Sequence, residues 1–459
     1  MQIRTIQKAP RGTVLIRLTE DEGKPEVIIE KGHRIIELGR GKLEKMTRRK
    51  LILLMRRMVM VAKERQAKTI ALHFTDFSPA HLKMNAREVA ELIATNALMA
   101  NFDFTHFKTK PKGGFPRVEK LFILGAPVAE VNAGLREGKI IGEEVNRARH
   151  IATMPGSELT PESLAHHAKE AVKDLPVVVS ILGEKEMTEL SMGGILAVGK
   201  GSQAKPRFIV MEYWGADKKK KPVVLVGKGV TFDTGGINLK PSDYILGMNM
   251  DMSGGASAIH TLAACVRLGV KQNIIVLVPA AENMLSGESY RPGDIIRSMS
   301  GKTIEVQNTD AEGRIILADA LTYARRYAPG LVIDIATLTG AAVVALGERA
   351  AALFTKDETL EGKLRHIGEE VGDFVWPLPL WDEYDDDIKG VFGDIGNVGN
   401  TKWGGAITAA TFLKQFTKGY RWAHIDMAPR MTTIKGEFLE KGAGGAIVRL
   451  LVRYLMREA

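Results

Sequence analysis

Short apolar runs rich in β-branched residues recur at positions 177–182, 208–212, 223–226, 273–278 and 331–335. Between them, segments 256–268 and 314–327 carry apolar residues at helical spacing. Strands that are apolar at nearly every position are buried on both faces, and strands separated by helices run parallel. This pattern predicts an α/β domain with a mostly parallel central sheet. Ligand sites in such sheets lie in the loops leaving the carboxyl ends of strands. The residues that follow each run are therefore where chemistry is expected.

The first third of the 459-residue chain reads as a smaller α/β unit. Strands are expected at 13–18 and 26–30, with a turn signal at Gly23, Lys24 and Pro25 between them. A helix over 43–66, a strand at 69–74, a helix at 86–99 and a strand at 120–124 follow. Residues 129–152 read as a polar helix or helix pair. A new helix start then appears, with Thr160 as N-cap, Pro161 in the first helical position and Glu162 behind it. The expected organisation is a small N-terminal domain over 1–128, a helical linker over 129–158, and a larger domain over 159–459.

Composition narrows the class. With 45% hydrophobic and 26% charged residues, the chain has enough apolar material to offset chain entropy, which excludes a mainly disordered protein. Its one cysteine, Cys265, excludes an intramolecular disulfide and cysteine-based zinc motifs. A reducing, cytoplasmic setting is expected. The opening MQIRTIQKAP has no apolar core of a secretory signal. The most apolar span, 51–62, is split by Arg56 and Arg57 and falls short of the roughly 20 residues that cross a bilayer, so no membrane partner is expected. Of the net charge of +10, residues 1–138 carry +11 and the rest carries −1. That asymmetry is either a solvated basic surface or a face for nucleic acid, so DNA binding by the N-terminal domain is a second reading. The lysine run 218–221 is expected to be a solvated loop.

Three glycine-rich clusters carry acidic or basic side chains. The first contains Lys228, Asp233 and Lys240 and follows the run ending at Val226; it fits neither GxxxxGK[ST] nor GxGxxG, so it gives no sign of a phosphate cradle. The second holds Asp251 just before a helix, where capping is the plain structural alternative. The third holds Asp310, Glu312 and Arg314; spaced two apart in an extended segment, they would share one side. Asp233, Asp251, Asp310 and Glu312 would repel one another in one pocket unless divalent cations neutralised them. No histidine occurs in the clusters, so the site would be oxygen-rich and suited to manganese and magnesium as well as zinc.

VGKGVTFDTGGINLK at 226–240, MDMSGGA at 250–256 and NTDAEGR at 308–314 closely resemble the signatures of the leucine aminopeptidase family of dinuclear metallo-aminopeptidases. The resemblance covers roughly 140–459, including TLTGA at 337–341 and WAHIDMA at 422–428; the N-terminal part resembles it only in general α/β character. It implies that Asp233 and Glu312 bridge two metals, that Asp310 completes the more exchangeable site, and that Lys228 and Asp251 complete the tighter one. A ligating lysine must be neutral, which would require a lowered pKa at Lys228. Lys240 would stabilise the oxyanion, and Arg314 would hold a bicarbonate ion that relays protons. The substrate's free α-amine would bind the tighter metal, and a hydroxide shared by the two metals would attack the first peptide carbonyl. Mn²⁺ or Zn²⁺, with Co²⁺ or Mg²⁺ as further candidates, would serve. Two plainer alternatives stand beside these roles: Lys240 as a surface lysine and Arg314 as a partner of Glu312.

The resemblance further implies release of N-terminal leucine and other hydrophobic residues from peptides with a free N-terminus, and a homohexamer. Its pocket for the first side chain maps to Met248, Thr337, Leu338, Gly340, Ala428 and Met431. Pro429 and Arg430 depart from the glycine and apolar residue usual there, and 151–157 (IATMPGS) and 441–446 (KGAGGA) depart as well. None of these departures touches an expected metal ligand. A non-catalytic homologue is disfavoured because every ligand position is filled.

Overall fold

The computed structural model describes residues 1–21, 23 and 25–459. The turn expected at Gly23, Lys24 and Pro25 includes Lys24, which lies outside the described residues. The chain forms two compact units: 1–146 with 369–372 and 433–442, and 147–368 with 373–432 and 443–459. The division falls within Val128–Thr153, which is one continuous helix rather than a pair.

The smaller unit is built on a six-stranded sheet in the order Gln2–Thr5, Lys120–Leu124, Thr69–His73, Val14–Thr19, His33–Gly39, Glu26–Glu30. All neighbours are parallel except the last pair. Leu51, Met55, Met58 and Val59 of helix Arg48–Glu64 pack in one core with Val89, Ile93 and Ala97 of helix Ala86–Ala100. The helix expected over 43–66 is interrupted. A single 3₁₀ turn, Leu43–Lys45, comes first. Thr47 is then extended, and its hydroxyl accepts from the Lys50 amide to start the α-helix at Arg48. Two strands were not foreseen. Gln2–Thr5 alternates exposed and half-buried residues with little apolar signal, and His33–Gly39 begins with two polar residues.

The larger unit carries a nine-stranded sheet. Its main path runs Val375–Pro377, Ala351–Phe354, Arg421–Asp426, Leu331–Ala336, Val223–Gly227, Asn273–Asn283, Arg207–Trp214, Val178–Leu182, with Gly229–Asp233 also pairing with Asn273–Asn283. The central neighbours are parallel, and antiparallel pairs occur toward both edges. Val223–Gly227, Asn273–Asn283 and Leu331–Ala336 are buried at every position, which is the expected consequence of covering both faces. The mixed α/β class with a mostly parallel sheet is thus observed. A separate three-stranded sheet, Ile295–Arg297, Thr303–Glu305 and Ile395–Gly396, brings residues 303–312 beside 394–397.

Local signals account for several element ends. Thr160 caps Pro161–Ala171, its hydroxyl accepting from the Ser163 amide. The lysines at 218–221 form an exposed turn between two strands. Among the described residues no helix is long and apolar enough to cross a membrane.

Candidate metal centre

Chain direction concentrates the functional residues at one end of the large sheet. Lys228 follows the last residue of Val223–Gly227. Asp233 ends Gly229–Asp233, a strand that sequence reading had treated as loop. Thr337 follows Leu331–Ala336, and Ala428 lies two residues beyond Arg421–Asp426. Two helices bring the remaining carboxylates. Asp251 lies just before Ser253–Arg267, and Glu312 is the first residue of Glu312–Ala324.

Close backbone approach explains two of the glycines. A Cβ at Gly254 would sit 2.1 Å from the Ile335 carbonyl oxygen, and one at Gly313 would sit 2.5 Å from Cε of Lys228. The helix bearing Gly254 can therefore press onto the strand end, where Lys228 donates its amide to Ile335 (3.0 Å) and accepts from Gly255 (2.7 Å). Gly313 leaves room for the Lys228 side chain.

That side chain reaches a buried set of acids. Lys228 Nζ lies 2.8 Å from Asp251 Oδ2 and 2.8 Å from Glu312 Oε1, and it donates to the Thr337 carbonyl at 3.0 Å. Lys240 Nζ lies 2.9 Å from Asp233 Oδ2 and also pairs with Asp310. Asp233, Asp310 and Glu312 each offer an oxygen within 4.8 Å of the others. Asp251 is not a cap. Met252 holds the N-cap position, and the Asp251 carboxylate accepts from Thr337 Oγ1 at 2.7 Å. Nor is Lys240 a surface lysine, because its side chain is only 14% exposed.

The electrostatics are those of crowded acids. Burial, then Glu312, push the Asp233 carboxyl up, and burial pushes Asp251 well above the usual carboxylate range. Burial, then Asp233, raise Asp310. Lys228 sits between opposing effects. Burial works to lower its pKa, but Asp251, Glu312 and Asp233 outweigh burial and raise it. Lys240 is raised for the same reason, with Asp233 and Glu312 outweighing burial.

The donor set fits divalent cations. Four carboxylates converge at the floor of one cavity with two lysines between them. Such a group is costly unless cations share its charge. Hard oxygen donors in this number match manganese, magnesium or zinc.

The cavity has a volume of about 450 Å³ and is lined by Lys228, Asp233, Lys240, Asp251, Asp310 and Glu312. Every expected pocket residue lines it too: Met248, Thr337, Leu338, Gly340, Ala428 and Met431. Pro241, Tyr244, Thr339 and Val343 complete the wall and were not foreseen. The Pro429 and Arg430 departure falls in a 3₁₀ turn, Ala428–Arg430. Arg430 is buried there and donates to the Glu348 carbonyl at 2.7 Å. Ala428 and Met431, on either side, are the residues that reach the cavity.

Arg314 departs from its expected placement. Asp310, Glu312 and Arg314 do not lie along one extended segment, because Glu312 already opens a helix. Arg314 is buried in its first turn, with Nη1 donating to the Asn397 carbonyl at 2.9 Å. Burial draws its pKa down to about 10, against the opposing charges of Glu312 and Asp426. Among the described residues its Nε has no hydrogen-bond partner.

Sequence reading also missed the groups that brace the acids. Asn283 donates to Asp233 Oδ1 (2.8 Å) and to the Thr309 carbonyl (2.9 Å), and Tyr290 donates to the same carbonyl at 2.8 Å. Asn238 and Thr309 exchange bonds, the Asn238 amide donating to Thr309 Oγ1 and the Thr309 amide to Asn238 Oδ1, each at 2.9 Å. Asn283 ends the strand Asn273–Asn283, beyond the apolar run at 273–278.

Residues 146–452 match the catalytic domain of the cytosol aminopeptidase family, and residues 3–111 match that family's N-terminal domain. The chain belongs to the cytosol aminopeptidase family, a family of metal-dependent aminopeptidases. A probable cytosol aminopeptidase of Azoarcus sp. (strain BH72) is 49% identical over 330 residues, covering 72% of this chain and 65% of that protein. One from Nitrosococcus oceani is 44% identical over 376 residues, covering 81% and 74%. Among solved structures, the bottromycin maturation enzyme BotP in complex with Mn superposes with a TM-score of 0.88 at 30% identity, covering 97% of this chain and 99% of that one.

Proposed function

We propose that this protein is a cytoplasmic, metal-dependent aminopeptidase that releases the first residue of peptides, with leucine and other hydrophobic residues preferred. One observation carries the reading: four carboxylates and two lysines meet at the floor of a cavity whose walls include Met248, Leu338, Val343 and Met431. Asp233 and Glu312 would bridge two divalent cations. Asp310 would complete one site, and Lys228 with Asp251 the other. When bound, such a pair polarises the scissile carbonyl and supplies an activated water at neutral pH. Mn²⁺ or Zn²⁺ suit these donors, and the manganese held by the BotP structure supports the first.

The chain's own residues do the rest. Lys240 keeps its proton and offers Nζ–H to the carbonyl oxygen as negative charge develops there, a stabilisation realised mainly in the transition state. The Nε of buried Arg314, without a hydrogen-bond partner among the described residues, suits a small oxyanion such as bicarbonate, which would move protons beside a cavity with no histidine among its described lining residues. Met248, Leu338 and Met431 exclude water from the first side chain and favour apolar ones. The acids at the floor suit a substrate that arrives with a free α-amine. A homohexamer is part of the same proposal, supported by the family to which the chain belongs.

Substrate comparison tests the reading. Leucine-p-nitroanilide is expected to be cleaved, glutamyl-p-nitroanilide to be cleaved at least about 100-fold less efficiently, and N-acetyl-leucine-p-nitroanilide not at all. Equal rates for the free and acetylated leucine compounds would overturn it.

A further inference from the structure

Between strand Thr303–Glu305 and helix Glu312–Ala324 lies the stretch 306–311, which has no helix or strand bonds of its own yet carries Asp310 and delivers Glu312. Beside the bonds that Asn238, Asn283 and Tyr290 make to Thr309, it is held by a residue about 90 positions away. Asn397 is fully buried at the end of strand Ile395–Gly396, and its own amide donates to the Glu305 carbonyl at 3.0 Å. Its Oδ1 accepts from the amides of Gln307 (2.8 Å) and Asn308 (3.2 Å). Its Nδ2 donates to the carbonyls of Asn308 (2.6 Å) and Ala311 (3.4 Å). Both donors and both acceptor positions of one side-chain amide are thus used on one backbone turn. The main-chain carbonyl of Asn397 holds Arg314.

We infer that Asn397 is a positioning residue of the metal centre. Its side chain fixes the turn that aims Asp310 and Glu312, and its carbonyl fixes Arg314. This rests on the proposed assignment of those acids as metal ligands. The chemistry of the amide is what the position requires. Aspartate would keep the acceptor for the two amides but lose both donors, turning an oxygen toward two carbonyls. Serine or alanine would lose most of the set. Partners of this kind typically alter metal affinity or rate by about 10- to 100-fold without touching the metal. Asn397 is not a catalytic residue, since its side chain meets only backbone.

The test is calorimetric titration of the full-length protein, first stripped with chelator, with Mn²⁺. Asn397→Asp is compared with wild type and with Asn400→Asp. Asn400 sits in the same loop but is exposed, and among the described residues its side chain donates only to the Lys389 carbonyl. Asn397→Asp is expected to weaken Mn²⁺ binding by about 10- to 100-fold and to lower kcat with KM changed by less than about threefold. Asn400→Asp is expected to change neither. Mn²⁺ affinity of Asn397→Asp within threefold of wild type overturns the inference. If Asn397→Asp does not fold, Asn397→Ser takes its place. If neither folds while Asn400→Asp does, Asn397 serves the fold and the positioning role is withdrawn. Tight Mn²⁺ binding by a wild-type protein that cleaves no aminoacyl substrate would defeat the aminopeptidase reading alone, leaving the affinity ratio to decide the role of Asn397. Wild type that binds no Mn²⁺ defeats both.

Discussion

Glu312→Ala is expected to abolish hydrolysis of leucine-p-nitroanilide, lowering kcat/KM by about 10²- to 10⁴-fold. The magnitude follows from the surroundings of the carboxylate. Glu312 is 1% exposed, lies 2.8 Å from Lys228 Nζ, and shares a 4.8 Å cluster with Asp233 and Asp310. Losing a carboxylate proposed to hold both cations removes their combined activation of water and carbonyl, and each 1.36 kcal/mol of lost transition-state stabilisation is a factor of ten in rate. Because the proposed role is to bridge two cations, metal content should fall along with activity. Steady-state kinetics with metal analysis of the same preparation check this. A variant that keeps full metal content and most of its activity would place the centre elsewhere.

Lys240→Ala should act differently. Its Nζ lies beside Asp233 and Asp310, at the edge of the acidic cluster and on the lining of the cavity. As a donor to the developing oxyanion it is expected to contribute to kcat, by about 10²- to 10³-fold, with KM changed little. Arginine should not restore the rate, since a planar fork cannot replace a compact ammonium at a point contact. A large rise in KM at unchanged kcat would instead make Lys240 a ground-state binding group.

How much of this was legible in the sequence depended on whether the signal was local. The runs at 223–226 and 331–335 are strands whose residues, buried on both faces, are apolar at nearly every position, Asp334 being the exception, and that signature needs no partner to be seen. Gln2–Thr5 lies at the sheet edge with exposed alternate residues and left no such trace. Gly229–Asp233 hid behind its glycines. Its place in the sheet comes from pairing with Asn273–Asn283, where Gly229 permits close approach to the Pro279 carbonyl. The acids and lysines of the centre were legible because they sit in dense motifs just beyond strand ends. Asn283, Tyr290 and Asn397 were not, because a lone buried amide or phenol acquires meaning only from a partner far along the chain. Tyr244 and Val343 reached the cavity wall in the same silent way.

The most direct test of the central claim is hydrolysis of leucine-p-nitroanilide by purified protein after chelation, and again after adding Mn²⁺, Zn²⁺ or Co²⁺, with Asp310→Ala alongside. The chelated protein is expected to be inactive, to recover with at least one of these ions, and the variant is expected not to recover. Undiminished activity after complete metal removal, or full recovery in Asp310→Ala, would contradict the claim.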